Sequence, residues 1–380
     1  MPSLEEVHRV HGIELGSRFE CECGRVHEIP LKLILIGDDS AEMTLSLIDK
    51  LSIKGSACVI HDEITRRIAG ERIAESLKQV GIDVIELLVS GPYESESERI
   101  REALVRRGCG YLFAVGGGTV IDVGKLAAYR AGIPFISIPT ALSHDGIASP
   151  TASVKSIEDG LKRSFQASPP ISLIIDLKVL EDAPRRMLIA GCGDIVSRAT
   201  SLKDWELGRD ERGEYYCKAA AELALSSFKE ALRFMDLGGE DLKMQAMTIT
   251  KSSLSMILAG SSRPCSGSEH IFSHYIDLYP ERSSMHGEQV GLGTILMSKY
   301  HSDHNDNWWS EEIFQWSSIK RRLERVGFPS TLAEIGISKE MAVKALCEGV
   351  KLRPRKYTIL HKRPIRREEA LSLLKEVELI

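Results

Sequence analysis

The residues best suited to chemistry lie in the second half of the chain. SGSEHIFSHYIDLY places His270 and His274 four residues apart, on one face if the segment is helical. His286 follows in SMHGEQVGLG, just ahead of another helical pattern. Asp194, in AGCGDIVSRAT, would add a hard anionic oxygen from a helix N-terminus. One carboxylate and two imidazoles leave a coordination position open. That is the requirement for a catalytic Lewis acid, since a closed structural site uses four donors. Ile271, Phe272, Tyr275 and Ile276 are apolar neighbours and imply partly buried rings. Such a set accepts one divalent metal, zinc first, with nickel or ferrous iron as alternatives. Spacing alone does not choose between His270 and His274 as the ligand.

A second pattern suits an anion. VGGGTVIDVGK (115–125) follows a strand-like run and opens a helical one. Glycines at 116, 117 and 118 let the backbone approach a ligand closely and adopt φ > 0. The helix start presents free N–H groups and its positive dipole end, which fits a pyrophosphate. The motif is not G-x-G-x-x-G, so an ordinary Rossmann dehydrogenase is not indicated. TALSHDGIASP (140–150) comes after the next strand, at the edge where open α/β sheets bind ligands. Thr140, Ser143 and Ser149 offer hydroxyls there, and Asp145 a carboxylate, for a ribose, an amide or a substrate hydroxyl. Asp62 closes an earlier strand. It reads either as a ribose partner favouring NAD over NADP or as a helix N-cap.

Smaller features are ambiguous. FECECGRVHEIP brings Cys21 and Cys23 near His27, one donor short of a closed zinc site, and reads more simply as a β-hairpin with incidental thiols. HSDHNDNWW (301–309) reads as a solvated loop. Lys162 and Arg198 are cations that could meet an anionic substrate, or solvated surface charges.

Strand-like runs at 31–37, 56–62, 82–91, 111–118, 133–140 and 172–177 alternate with helical patterns. That alternation predicts βαβ units and a mainly parallel, Rossmann-like sheet. SESERIREALVRRG (95–108) reads as an exposed helix with a serine cap. Beyond about 182 every stretch is helical. The expectation is an α/β domain over 1–182 and an all-helical domain over 183–380.

The chain has 380 residues, a formal charge of −5 and 27% charged residues. It lacks the basic footprint of a nucleic-acid binder. It has no apolar run long enough for a membrane span and no signal-like N-terminus, so a cytoplasmic protein is expected. Most of its eight cysteines sit singly in apolar surroundings, as reduced buried thiols do.

GGGTVID, PTALSHDGIASP, the GD of a helix, SGSEHxxSH and MHGEQV occur in that order. This resembles the iron-containing alcohol dehydrogenase, glycerol dehydrogenase and dehydroquinate synthase superfamily. Within it the chain is most similar to the sn-glycerol-1-phosphate dehydrogenase family, over roughly 30–300. FECECGRVHEIP and LRPRKYTIL extend the likeness toward the ends. The resemblance implies a dehydroquinate synthase-like fold and an NAD or NADP cofactor. Gly116, Gly117, Gly118, Thr119, Val120, Ile121, Asp122, Thr140, Ala141, Leu142, Ser143 and Ser149 would contact that cofactor, and Asp62 is a further candidate. It implies Asp194, His270 and His286 as metal ligands, and Asp145, Asp194 and His274 as substrate contacts, with Asp145 and His274 catalytic. The glycine before Asp194 departs locally from the family pattern. Dehydroquinate synthases carry a glutamate where Asp194 stands, which favours the dehydrogenases. The implied reaction is reduction of dihydroxyacetone phosphate to glycerol 1-phosphate by a homo-oligomeric enzyme. A polyol dehydrogenase, a cyclase of the synthase type and a nucleotide-binding scaffold are the competing readings.

Overall fold

The computed structural model describes residues 4–279 and 284–380. The chain divides into two units, Met1–Pro184 and Arg185–Ile380. The first carries, among the described residues, β1 (Glu5–Val7), β2 (Arg9–Val10), β3 (Ile13–Glu14), β4 (Arg18–Glu20), β5 (Val26–Glu28), β6 (Leu33–Gly37), β7 (Ser56–His61), β8 (Asp83–Leu88), β9 (Tyr111–Gly116), β10 (Phe135–Pro139), β11 (Thr151–Lys155), β12 (Lys162–Gln166) and β13 (Ser172–Asp176). Seven of these form one sheet in the order β1-β6-β13-β10-β9-β7-β8. Every pairing in it is parallel except β1 against β6. The six parallel strands are those expected from the apolar runs. β6, β10 and β13 are buried at every position, as strands covered on both faces must be. The edge strand β1 is three residues of EEV, with no apolar pattern to announce it.

Helices α1 (Ser40–Leu51), α2 (Glu63–Thr65), α3 (Glu71–Gln79), α4 (Glu94–Arg107), α5 (Gly118–Ala131) and α6 (Leu177–Glu181) complete this unit. The expected serine cap of α4 is not there. Its N-cap is Tyr93, without a side-chain bond, and Ser95 lies inside the first turn. α5 begins directly after β9 and ends at Gly132 in the left-handed region (φ 70°).

Among the described residues the second unit carries helices and no strand. It runs through α7 (Arg185–Ile195), α8 (Arg198–Arg212), α9 (Lys218–Asp236), α10 (Leu242–Ala259), α11 (Ser268–Ile276), α12 (His286–His304), α13 (Trp316–Arg325), α14 (Lys339–Glu348), α15 (Ile359–Lys362) and α16 (Arg367–Glu376). Its core gathers Phe228, Phe234, Phe272, Phe314 and the aliphatic faces of α12 to α16. Among the described residues no helix is long and apolar enough to cross a membrane.

The stretch read as a solvated loop, 301–309, is largely not one. His301 is fully buried and stacks on Trp308, with ring centroids 5.2 Å apart. Trp309 donates its indole N–H to the Ala199 carbonyl at 2.7 Å. The polar letters concealed a helix end that packs into the core.

One buried carboxylate organises this unit. Asp204 on α8 accepts the backbone N–H of Ser268 at 2.6 Å, fixing the start of α11. It also accepts the N–H of Ile359 at 2.6 Å and lies 3.2 Å from His301 Nε2. Burial opposes its charge, but His301 and these donors hold its carboxyl below the usual range. A depressed carboxylate stabilises the fold above the unfolded pKa of about 3.9 and loses that contribution as pH falls through the folded value. Asp204→Asn sets an NH₂ against a backbone N–H. It should cost about 1.5–3 kcal/mol for each charged hydrogen bond lost. Denaturant melts from pH 7 to pH 3 check this: the wild type should lose stability below about pH 4 and the variant should lose less.

Candidate functional site

Asp194 does not sit at a helix N-terminus as expected. It lies in the last turn of α7, one residue before its end. Two glycines place it against α12. A Cβ on Gly193 would stand 2.2 Å from the Gly287 carbonyl oxygen, and one on Gly287 would stand 1.9 Å from that of Ala190. The two backbones therefore touch, which no larger side chain permits. This gives the glycine before Asp194 its physical reason. A bidentate pair locks the crossing: Arg186 on α7 donates to Glu288 at 2.6 and 2.8 Å, and Glu288 is 1% exposed. Glu288 also accepts the Met285 N–H at 2.8 Å, setting the start of α12 at His286.

α11 brings His270 to the same place. Its Nε2 lies 3.6 Å from Asp194 Oδ1, and His286 Nε2 lies 3.9 Å from the same oxygen. One donor atom from each of the three lies within 4.8 Å of the others. Ligands at roughly 2.0–2.2 Å from one centre, at tetrahedral angles, stand about 3.4 Å apart. The donors present fit one divalent ion.

Neighbouring groups aim both rings. His270 Nδ1 contacts Glu269 Oε1 at 2.7 Å. Glu269 is fully buried and accepts only from donors, namely the Gly267 N–H at 2.6 Å and the Thr200 hydroxyl at 2.6 Å. So His270 carries a proton on Nδ1, and its Nε2 faces Asp194. His286 Nδ1 meets Ser273 Oγ at 3.1 Å, and that hydroxyl already donates to Gln289 Oε1 at 2.8 Å. His286 is therefore the donor there, and its Nε2 also faces inward. Burial opposes the Asp194 charge, but the His270 contact, the Arg198 guanidinium and His286 hold that carboxyl well below the usual range. Burial also opposes protonation of His270, and its contacts with Asp194 and Glu269 overcome this and raise its pKa.

His274 lies beside this set. Its ring centroid is 6.0 Å from that of His270 and 6.4 Å from that of His286. Arg353 Nε donates to His274 Nδ1 at 3.4 Å. The proton of His274 is then on Nε2. Burial, Arg353 and the two neighbouring rings push its pKa well below the ordinary value, so it is neutral at pH 7. Lys356 stands one turn on from Arg353 and donates to Ser266 at 2.7 Å and Ser262 at 3.2 Å. Burial, Arg263 and Arg353 lower its pKa to about 7. Arg353 and Lys356 escaped the reading of side-chain roles. LRPRK, a cluster of cations in a short turn-rich segment, was the available signal.

The two cations that were considered differ in setting. Arg198 is fully buried and donates to the Asp194 carbonyl and to the Ser197 and Ser252 hydroxyls. It caps the end of α7. Lys162 is half-buried on β12, paired with Lys155 across the β11–β12 hairpin.

In the first unit, parallel pairing sets two turns side by side. Pro139 pairs with Gly116, and Thr140 donates its N–H to the Gly116 carbonyl at 3.1 Å. None of Gly116, Gly117 and Gly118 has a positive φ, contrary to expectation. Space is the reason for two of them. A Cβ on Gly116 would stand 2.7 Å from Val120 Cβ, and one on Gly118 only 1.9 Å from His144 Nε2. Beside Gly117 nothing comes within 4 Å of such an atom, so that face of the turn is open. α5 starts there with no side-chain cap, leaving its first N–H groups to a ligand. His144 Nδ1 accepts the Gly146 N–H at 2.8 Å, so its proton sits on Nε2, next to Gly118.

Asp122 and Ser149 are tied into this loop. Lys125, fully buried, donates to Asp122 at 3.3 Å, to the carbonyls of Gly146 at 2.6 Å and Thr151 at 2.8 Å, and to Ser149 at 3.1 Å. Ala141 and Leu142 are buried, while Ser143 and Asp145 are half-buried. Thr119, Val120 and Ile121 form the first turn of α5. Asp62 caps α2, and its Oδ1 accepts from the Ile64 and Thr65 N–H groups and the Thr65 hydroxyl.

Comparison with known proteins places the chain in a family. Residues 35–184 match the family model described as iron-containing alcohol dehydrogenase. The chain is 39% identical over 347 residues to the glycerol-1-phosphate dehydrogenase [NAD(P)+] of Pyrococcus abyssi, covering 90% of this chain and 96% of that one. It is 39% identical over 349 residues to the enzyme of the same name from Pyrococcus furiosus, covering 91% and 96%. A solved structure of a probable glycerol dehydrogenase from Sinorhizobium meliloti shares the fold. Its TM-score is 0.70 at 20% identity, over 89% of this chain and 94% of that one.

Two variants test the construction. Glu269→Gln keeps the shape but weakens the acceptor behind His270. It should lower affinity for a divalent metal by about 10–100-fold in a competitive chelator titration. Gly118→Ala must displace His144 and should weaken nucleotide binding by about tenfold or more, measured calorimetrically with NADH and NADPH. Adding His144→Ala should relieve part of that loss; no relief would place the strain elsewhere.

Proposed function

This chain belongs to the glycerol-1-phosphate dehydrogenase family, and from that premise we propose that it reduces dihydroxyacetone phosphate to sn-glycerol 1-phosphate, reversibly, with NADH or NADPH and one divalent metal ion. The observation that carries the reading is the Asp194–His270–His286 donor set with Arg353 and Lys356 on its His274 side. An unphosphorylated polyol gives no reason for two cations there.

In this scheme Asp194, His270 and His286 hold the ion, zinc first, with nickel or ferrous iron as alternatives. When bound, the metal supplies Lewis-acid polarisation of the substrate oxygen and the nicotinamide supplies the hydride. The chain's own residues do the rest. Glu269 and Ser273 keep the two ligand rings turned inward. His274, neutral and protonated on Nε2, offers a donor that orients the substrate hydroxyl or the water that carries its proton. Arg353 holds His274 in that tautomer and, with Lys356, receives the phosphate. In the first unit, the N–H groups of Gly117, Gly118 and Thr119 and the Nε2–H of His144 receive the pyrophosphate. Val120 and Ile121 carry α5 away from it. Thr140, Ala141, Leu142 and Ser143 line the adjacent turn. Asp122 and Ser149 act through Lys125, which keeps that turn in place. Asp145 fixes the terminal hydroxyl of the substrate.

The deciding assay follows NADH and NADPH oxidation with dihydroxyacetone phosphate, on chelator-stripped protein before and after zinc, nickel or ferrous iron. Dihydroxyacetone runs beside it. Metal-restored activity on the phosphate alone is expected; activity on dihydroxyacetone alone would move the chain to the polyol dehydrogenases. His270→Ala or His286→Ala should abolish metal retention, whereas His274→Ala should keep the metal and lower kcat. A wild-type rate in His274→Ala would remove it from the scheme.

The cation pair has its own signature. Lys356 is protonated below about pH 7 and neutral above it. The KM for the phosphorylated ketone should therefore rise as pH increases through that value. Arg353→Gln should raise that KM by about 10–100-fold, the loss of one charged hydrogen bond, and Lys356→Met should remove the pH dependence.

A further inference from the structure

The sequence offered one cluster that the proposed reaction does not use, Cys21, Cys23 and His27. We propose that this hairpin holds a second metal ion, a soft zinc-class cation bound by two thiolates and one imidazole. The site is independent of Asp194, His270 and His286.

Local geometry supports this from the residues upward. β4 and β5 pair antiparallel with Phe19 opposite His27. Between them the chain turns tightly: Cys21 donates its N–H to the Arg25 carbonyl at 3.0 Å, and Gly24 donates to the Cys21 carbonyl at 2.9 Å. Gly24 has φ +81°, the left-handed region that glycine enters without strain. The turn folds both thiols back toward His27. One ligand atom from each of Cys21, Cys23 and His27 lies within 4.8 Å of the others.

Magnitudes separate a metal centre from a chance cluster. Cys23 Sγ lies 3.3 Å from His27 Nε2. With a Zn–S bond of about 2.3 Å and a Zn–N bond of about 2.0–2.1 Å, tetrahedral ligands stand about 3.6 Å apart. A thiol–imidazole hydrogen bond alone would account for that one contact. It would not account for Cys21 in the same small volume.

The hairpin is short. Its strands are three residues each, and their burial alternates exposed–intermediate–exposed in β4 and exposed–buried–exposed in β5. His27, 5% exposed, is its one buried strand residue, with the Phe19 ring centroid 5.6 Å away. A ribbon this short is marginal in water without a cross-link. A metal on thiolates provides one, because its binding free energy is also folding free energy.

Metal content and cobalt spectroscopy on the full chain test this. Zinc-loaded protein should carry about two equivalents per chain, falling to about one in Cys23→Ser. Cobalt-loaded wild type should show a near-ultraviolet thiolate-to-cobalt charge-transfer band. An Asp/His/His site has no thiolate and cannot give one. The band should vanish in Cys23→Ser and survive in His286→Ala. A wild-type protein that binds one equivalent and shows no band would overturn the proposal. That arm needs no variant, so a folding failure of Cys23→Ser does not obscure it. Loss of metal-dependent turnover with the band retained would instead count against the reaction proposed above.

Discussion

The backbone contact between α7 and α12 is the constraint on which the Asp194–His270–His286 cluster depends. Gly193 and Gly287 bring two helices closer than side chains allow, and Asp194 and His286 are their immediate neighbours in sequence. Any added Cβ would separate the carboxylate from the imidazole by forcing the helices apart. The Arg186–Glu288 pair then fixes how the two helices meet. Around this contact lies a shell of buried polar groups. Asp204 sets the start of α11, Glu269 aims His270, Ser273 aims His286, and Arg198 closes the end of α7. A polar network of this kind is costly when incomplete and rigid when complete.

The first unit solves a different problem with the same economy of space. Two neighbouring parallel strands, β9 and β10, end together, and the turns that leave them are joined by a backbone hydrogen bond. Lys125 is the internal tie of that region. Its four donor contacts place a cation where burial disfavours it, and the result is a fixed loop beside an uncapped helix start. Asp122 and Ser149, which sequence reading assigned to the cofactor, are parts of that tie.

The relatives cover nearly the whole chain, so family membership extends to both units. The solved glycerol dehydrogenases share the fold at low identity, and fold alone does not select a substrate. In this chain the feature that favours a phosphorylated substrate is a short segment near the C-terminus. Arg353 touches a histidine of the candidate site, and Lys356 is half-buried close by with a lowered pKa.

The order of elements was legible because parallel strands buried on both faces must be apolar throughout, and helices must repeat at 3.6 residues. The glycine turn, the polar loop after β10 and the His/His/Asp types were legible because each is rare in its context. Other features were decided only by packing. Asp194 lies at a helix end rather than a start, His301 is buried rather than solvated, and Arg198 is an internal clasp rather than a surface charge. The three glycines at 116–118 all read as sources of φ > 0, yet Gly116 and Gly118 are needed for room. A linear pattern records residue type and period. It cannot record which distant backbone or side chain will press against a residue. The tautomers of His270, His274 and His286 depend on Glu269, Arg353 and Ser273, and only the tertiary structure brings those partners within hydrogen-bonding distance.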